Sequence, residues 1–174
     1  MTTLELFLLI IGVLILLLIG WPIFFMGAPF LPSFRKKDKV DFNKLFKILK
    51  DNNVDKVIDI GSGDGRLVKK LSQAGFKSHG IEINPLLFLL SHYKLRNLKS
   101  KNTLIYRGNF WKKDLSDYDA IFMFHFKTAN KKLIEKFKRE LKNESLIIST
   151  GFKLDDFELV DKISPFYIHR FNKK

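Results

Sequence analysis

Cysteine is absent from this 174-residue chain, which excludes disulfides and thiolate–metal centres and fits a reducing compartment without requiring one. Histidine is scarce. His79, His92, His125 and His169 stand far apart and none makes the paired spacing of a zinc site, so no metal is expected. Acidic residues are outnumbered, 18 against 31 Lys and Arg, for a formal charge of +13. Such an excess fits a nucleic acid, an acidic protein or an anionic lipid surface. Solvated helix faces, such as Lys131-Lys132 and Lys136, Lys138, Arg139, account for most of it. No aromatic–basic recognition motif accompanies the charge, so a nucleic-acid partner is not expected.

Charge of either sign is missing over the twenty residues from Leu6 to Phe25, which are rich in Leu and Ile. As a helix that run is about 30 Å long, the thickness of a bilayer's hydrocarbon core. A cleaved signal peptide fits it poorly. Glu5 stands where a basic n-region belongs, the run exceeds a usual apolar h-region, and no small-x-small site follows before the basic run. A buried core helix rarely stays uncharged so long. The expectation is a single transmembrane anchor over residues 4–26 and a membrane-proximal connector over 27–39. Pro22, Gly27, Pro29 and Pro32 argue that this stretch does not continue as one regular helix. Only Glu5 flanks the run on its amino side, whereas Arg35-Lys36-Lys37-Asp38-Lys39 follows it. The positive-inside rule therefore sets a single-pass membrane protein with its domain on the cytoplasmic side.

Residues 40–174 are soluble in character and long enough to bury one core. Phe42, Leu45, Phe46 and Leu49 share a stripe of an amphipathic helix over 40–52. Strands are predicted at 56–60, 79–83, 103–107, 120–124 and 145–150. Helices fall between them: one through Leu67, Val68 and Leu71 stopping at Gly75, one opened by Asn84-Pro85, and one over 129–142. The tail, 157–162 and 166–171, reads as an antiparallel pair split by Ser164-Pro165. Strands separated by helices of this length call for an α/β fold. It would be Rossmann-like and doubly wound, with a mostly parallel sheet closed by a C-terminal hairpin and the transmembrane helix in front.

Ligands of such sheets sit at the carboxyl ends of the strands, and the chemistry-bearing residues fall there. Val57-Ile58-Asp59-Ile60 runs into Gly61-Ser62-Gly63-Asp64-Gly65. These glycines let the chain turn sharply and bring backbone N–H groups against a ligand. The spacing is G-x-G-x-G, with Arg66 where the dinucleotide pattern has its third glycine, and no phosphate-binding G-x-x-x-x-G-K-[ST] occurs. A compact nucleoside without phosphates fits that loop better than NAD or ATP. Asp59 lies within an apolar strand, where a carboxylate is costly unless it meets a partner. Glu82, seventeen residues after Gly65, ends the second strand, where an acid accepts hydrogen bonds from both ribose hydroxyls. Asn109 and Phe110 follow the third strand and are placed to read and bound a base. Taken singly, the loop is also consistent with a bare turn, Glu82 with a surface acid, and Asn109 with a cap.

Together these strings resemble class I, seven-strand methyltransferases dependent on S-adenosylmethionine (SAM). Val57–Arg66 is similar to that class's motif I, and Glu82 and Asn109 match its ribose and adenine positions. Phe30-Leu31-Pro32-Ser33, Gly80-Ile81-Glu82-Ile83-Asn84-Pro85 and Asn109-Phe110-Trp111 narrow the resemblance to the small protein-lysine methyltransferases. That group includes the mitochondrial ATP synthase c-subunit and adenine nucleotide translocase enzymes. The resemblance spans nearly the whole chain and implies a SAM-dependent methyltransferase domain over 40–174. It implies SAM as cofactor, bound by Asp59, Gly61, Ser62, Gly63, Gly65, Glu82, Asn109 and Phe110, with Asp59 meeting the methionyl ammonium. The implied activity is N-methylation of lysine on a membrane-associated protein. Asn109 stands where relatives often carry Asp, which implies a weaker contact to the adenine amino group.

Methyl transfer displaces a sulfonium, an excellent leaving group, so positioning the nucleophile is the larger requirement. Phe30, Trp111, Phe122, Phe124 and Phe126 are candidates to line a lysine channel, although Phe122 and Phe124 are better read as core. His125, after the fourth strand, is the candidate catalytic residue, accepting a proton or orienting the substrate. Two other classes stay open: a methyltransferase for a small molecule or lipid, and a non-catalytic basic module tethered to a membrane.

Overall fold

The computed structural model describes residues 2–25, 40–98, 102–124 and 130–173. The chain falls into two compact units, Met1–Leu31 and Pro32–Lys174.

Among the described residues, the first unit is one helix, α1 (Thr3–Phe25). It opens with reciprocal bonds, Glu5 N–H to Thr2 Oγ1 at 3.2 Å and Thr2 N–H to Glu5 Oε2 at 2.8 Å, the capping-box arrangement of a helix start. The helix runs through Pro22, inside the span 4–26 expected for the anchor. Proline falls in the last turn, where its missing N–H forfeits a single bond. None of the Thr3–Gly20 window is buried, so α1 is not a core helix.

In the second unit, α2 (Phe42–Asp51) starts at Asp41, whose carboxylate caps Lys44 N–H at 2.9 Å. Then follow β1 (Lys56–Ile60), α3 (Arg66–Gln73), β2 (Lys77–Glu82), α4 (Pro85–Leu95) and β3 (Thr103–Arg107). A 3-10 turn, Phe110–Lys112, precedes β4 (Ala120–Phe124), α5 (Asn130–Glu140), β5 (Leu146–Thr150), β6 (Glu158–Ile163) and β7 (Phe166–Arg170). The seven strands form one sheet in the order β3-β2-β1-β4-β5-β7-β6, parallel through β5 and antiparallel beyond it. The expected strands and helices are present with ends shifted by up to three residues; the helix opened by Asn84-Pro85, expected to reach about Leu98, stops at Leu95. The 3-10 turn was not foreseen, and β7 rather than β6 lies against β5.

Alternation along the strands divides the core in two. Val57, Phe122, Leu146 and Ile148 face Leu45 and Leu49 of α2 and Leu67 and Leu71 of α3. Ile58, Ile60, Ile121, Met123 and Ile147 face Leu133 and Phe137 of α5. With both faces covered, β1 and β5 are buried almost throughout, as parallel central strands are. The acid in β1, Asp59, shares a face with Val57. Strand order reverses between β1 and β4, whose carboxyl ends therefore flank a topological switch point.

Candidate active site

Gly61, Ser62, Gly63, Asp64 and Gly65 turn the chain from β1 into α3 at that switch point. Gly61 (φ +81°), Gly63 (φ +56°) and Gly65 (φ +74°) occupy the left-handed region, where side chains are strained. The three differ in what a side chain would meet. At Gly61 and Gly63 an added Cβ points into open space, a cradle a ligand can enter, whereas at Gly65 it lies 2.9 Å from Ser91 Cβ of α4. Gly65 thus serves the packing of α4 against the loop.

The loop amides are turned inward rather than left bare, contrary to the expectation of free donors. Gly61 N–H and Ser62 N–H both donate to Ile81 O, at 2.9 and 3.1 Å, and Gly65 N–H donates to Ser62 O at 3.0 Å. Gly63 N–H donates to Glu82 Oε2 at 2.8 Å. Glu82 is 4% exposed, and its other oxygen accepts from Asn84 N–H at 2.8 Å. One side chain at the end of β2 therefore holds both the loop and the start of α4. Each carboxylate oxygen keeps a further lone pair for a hydroxyl donor. Gly108 N–H donates to Glu82 O at 2.9 Å, which brings the segment after β3 to the same strand end.

Three carboxylates gather here, in different states. Asp64 is gripped by Arg66 Nε and Nη2, each at 2.8 Å, and by Lys94 Nζ of α4. Burial pushes its carboxyl up, but these bonds outweigh that and hold it down at about 2. Asp59 is buried, and desolvation, reinforced by the charges of Glu82 and Asp64, raises its carboxyl to about 7. A cation arriving beside Asp59 would relieve that cost, which suits a ligand bearing an ammonium group. The donor set and the open cradle thus fit a cationic nucleoside.

Ser62 is also buried, its hydroxyl 2.7 Å from where a Cβ on Gly80 would stand, so Gly80 admits Ser62 against β2. Ser62 Oγ and Asn84 Nδ2 are buried without hydrogen-bond partners among the described residues. Asn84 Oδ1 caps α4 through Leu86 N–H at 3.0 Å and Leu87 N–H at 3.3 Å. Asn109 is exposed, and its Oδ1 accepts from Trp111 N–H at 3.0 Å, capping the 3-10 turn. Its cap role is thereby visible, while its amide nitrogen takes no part in that bond. The Phe110 and Trp111 rings lie 4.6 Å apart and pack at the edge of the α5-side core. Phe122 is core, as expected, and Phe124 is half-buried. His125 lies outside the described residues, as do Phe126, Lys127, Phe30, Pro32, Ser33 and the basic run from Arg35 to Lys39.

The sequence reading missed the contributions of Asp64, Gly80 and Lys136. Buried Lys136 of α5 donates to Lys113 O at 2.8 Å and Trp111 O at 3.3 Å and pairs with Glu140 at 2.5 Å, fixing the segment that carries Phe110. An Asp before the third glycine was a visible signal for the first of these. Lys136 had none, since a lysine on a basic helix looks solvated.

Known proteins of similar sequence carry a consistent description. The chain is 33% identical over 101 residues to the ATP synthase c-subunit lysine N-methyltransferase of Caenorhabditis elegans, covering 58% of this chain and 53% of that one. It is 30% identical over 125 residues to the Homo sapiens protein of the same name, covering 71% and 52%. The chain thus spans about half the length of these relatives. In fold it is similar to the RNA methyltransferase of Salinibacter ruber solved with S-adenosyl-L-homocysteine. The TM-score is 0.62 at 20% identity, over 74% of this chain and 89% of that one. Residues 59–161, more than half of the chain and running from Asp59 to Asp161, match the family described as ANTKMT methyltransferase domain, and the chain belongs to that family.

Proposed function

We propose that the chain is a SAM-dependent methyltransferase that N-methylates lysine side chains of a membrane-embedded or membrane-adjacent protein. The observation that carries this reading is the junction of the Gly61–Gly65 loop with Glu82. There an open glycine cradle, a buried acid with lone pairs to spare and the uncompensated Asp59 meet at the switch point. The cofactor supplies an electrophilic methyl group on a sulfonium. Around it, Gly61, Gly63 and Gly65 keep the backbone clear, Ser62 anchors the loop to β2, and Asp59 faces the methionyl ammonium. Glu82 accepts the ribose hydroxyls, and Asn109 and Phe110 bound the adenine. Family membership and the relatives' names support lysine as the acceptor.

A lysine amine with an ordinary pKa near 10.4 is about 4.6 kcal/mol uphill of its neutral form at pH 7. Desolvation in an apolar channel lowers that cost. Orientation then supplies the larger share of the rate, about 7–11 kcal/mol for well-placed reactants. His125, directly after β4, is assigned the role of orienting the amine or taking its proton.

Residues 4–26 serve as the anchor, 27–39 as the connector and 40–174 as the catalytic domain. The basic run after the anchor holds the domain on the cytoplasmic side. Tethering raises the effective concentration of acceptors in the same bilayer. Incubation of the purified chain with methyl-radiolabelled SAM and membrane fractions tests the assignment. Label in protein, released as methyl-lysine on hydrolysis, is expected. Label in the lipid extract instead overturns the lysine reading.

A further inference from the structure

We infer that the outward face of α4 is a docking surface for an anionic bilayer leaflet, a conclusion that goes beyond methyl transfer and does not depend on it. Helix α4 is apolar on two sides. Leu87 and Ser91 are buried against the domain, yet Leu86, Leu89, Leu90 and Tyr93 are 47%, 60%, 48% and 61% exposed. Those four stand at i, i+3, i+4 and i+7, so at 3.6 residues per turn they share an arc of about 100°. Soluble surfaces rarely leave so regular a stripe uncovered. Ile83, just before the helix, is exposed as well.

The sequence that carries the stripe says what covers it: from Ile83 to Lys113 it holds no Asp or Glu and seven cations, of which Lys94 and Arg96 stand beside the stripe. By helical period, Lys94 and Arg96 flank the stripe on opposite edges. The Arg96 guanidinium lies 3.8 Å from the centroid of the exposed Tyr93 ring, pairing an amphipathic aromatic with a cation as residues at a headgroup boundary do. An apolar stripe between cations matches acyl chains beneath anionic headgroups. Lys94 is paired with Asp64 of the glycine loop, so Arg96 beside Tyr93 is the cation that the headgroups would meet first. The same chain carries α1, long and apolar enough to cross a bilayer, and the anchoring role proposed for it above would keep lipid within reach. Because α4 begins immediately after Asn84, whose N–H binds Glu82, docking would hold the candidate site beside the bilayer surface.

The absence of cysteine lets each variant of the full chain carry one fluorophore. Leu89→Cys reports on the stripe, and Asp117→Cys, at the amino ends of the strands, serves as the reference. Both are reconstituted, without cofactor, into vesicles of phosphatidylcholine with or without phosphatidylserine, using lipids brominated on the acyl chain as quenchers. Anchoring through α1 is common to both. Quenching at position 89 is expected to exceed that at 117 several-fold, and to fall when phosphatidylserine is omitted or when Leu90→Glu is added. All these positions are exposed, and circular dichroism checks that the fold persists. Equal quenching at the two positions contradicts the inference, as does quenching at 89 that ignores phosphatidylserine. Protection at 89 that follows protein density rather than lipid charge identifies a second copy and also overturns it. Each of these three failures leaves binding of SAM, read separately, unaffected.

Discussion

Asp59 is the site carboxyl that burial raises most. Its carboxyl, ordinarily at 3.8, is raised to about 7 by burial and then by Glu82 and Asp64, so it holds a proton through mildly acidic conditions. A cationic ammonium beside it favours the ionised form, and binding below pH 7 must expel that proton. The affinity for S-adenosylhomocysteine is therefore expected to rise, by up to about tenfold per pH unit between 6 and 7, and to level off above. Asp59→Asn should flatten the profile in a calorimetric pH series, and a wild-type profile already flat contradicts the role. Stability carries the opposite sign. A raised carboxyl favours the folded state fully below 3.8, and that contribution is lost as pH rises through about 7. Asp59→Asn should accordingly gain Tm relative to wild type at pH 8 and lose the advantage near pH 4. Of the site residues, Asp59, Glu82 and the glycines were legible because their types and spacing state what they do. Gly80 was not, nor was the pairing of Asp64 with Lys94, since Gly80 meets Ser62 across 18 positions and Asp64 meets Lys94 across 30, and only in the fold.

Two contacts between elements decide how firmly the loop and the post-β3 segment are held. Gly65 combines φ +74° with a Cβ position 2.9 Å from Ser91 Cβ. Gly65→Ala should cost about 1–3 kcal/mol in chemical denaturation. Adding Ser91→Gly should return only the steric part, leaving the backbone strain; full recovery would show that φ is unimportant there. On the other side, Lys136 is 3% exposed and bonds two carbonyls of the segment 111–113 as well as Glu140. Lys136→Met leaves those carbonyls without their donor and Glu140 with Arg139 as its remaining cation, and should destabilise the domain by about 1–3 kcal/mol. A loss below about 1 kcal/mol would mean that the segment is held by other contacts. Helix positions were legible from periodicity and caps, Asn84-Pro85 above all. The 3-10 turn was hidden because Asn109 carries both a cap signal and a base-reading signal, and the chain uses the cap visibly.

At the scale of the molecule, alternation of strands and helices was enough to announce a parallel sheet, and right-handed crossovers left few strand orders to consider. The placement of β7 between β5 and β6 was not legible. It depends on which hairpin strand brings apolar residues to the α2–α3 face beside β5, and Phe166 and Ile168 on β7 do so. The uncharged run at the start was plain in the sequence, and α1 is the helix it required. Less obvious was that α4 would expose apolar residues, since its Leu-rich run reads equally as core. The account rests on one junction, the glycine cradle closed by Glu82, being the seat of an adenosyl ligand. Calorimetric titration of the full chain with S-adenosylhomocysteine tests it directly. Saturable binding is expected in the wild type, weakened by about tenfold or more in Glu82→Ala, where charge-assisted bonds to the ribose worth roughly 1.5–3 kcal/mol are removed, and abolished in Gly63→Val. No binding in the wild type, or unchanged affinity in a folded Gly63→Val protein, would contradict it.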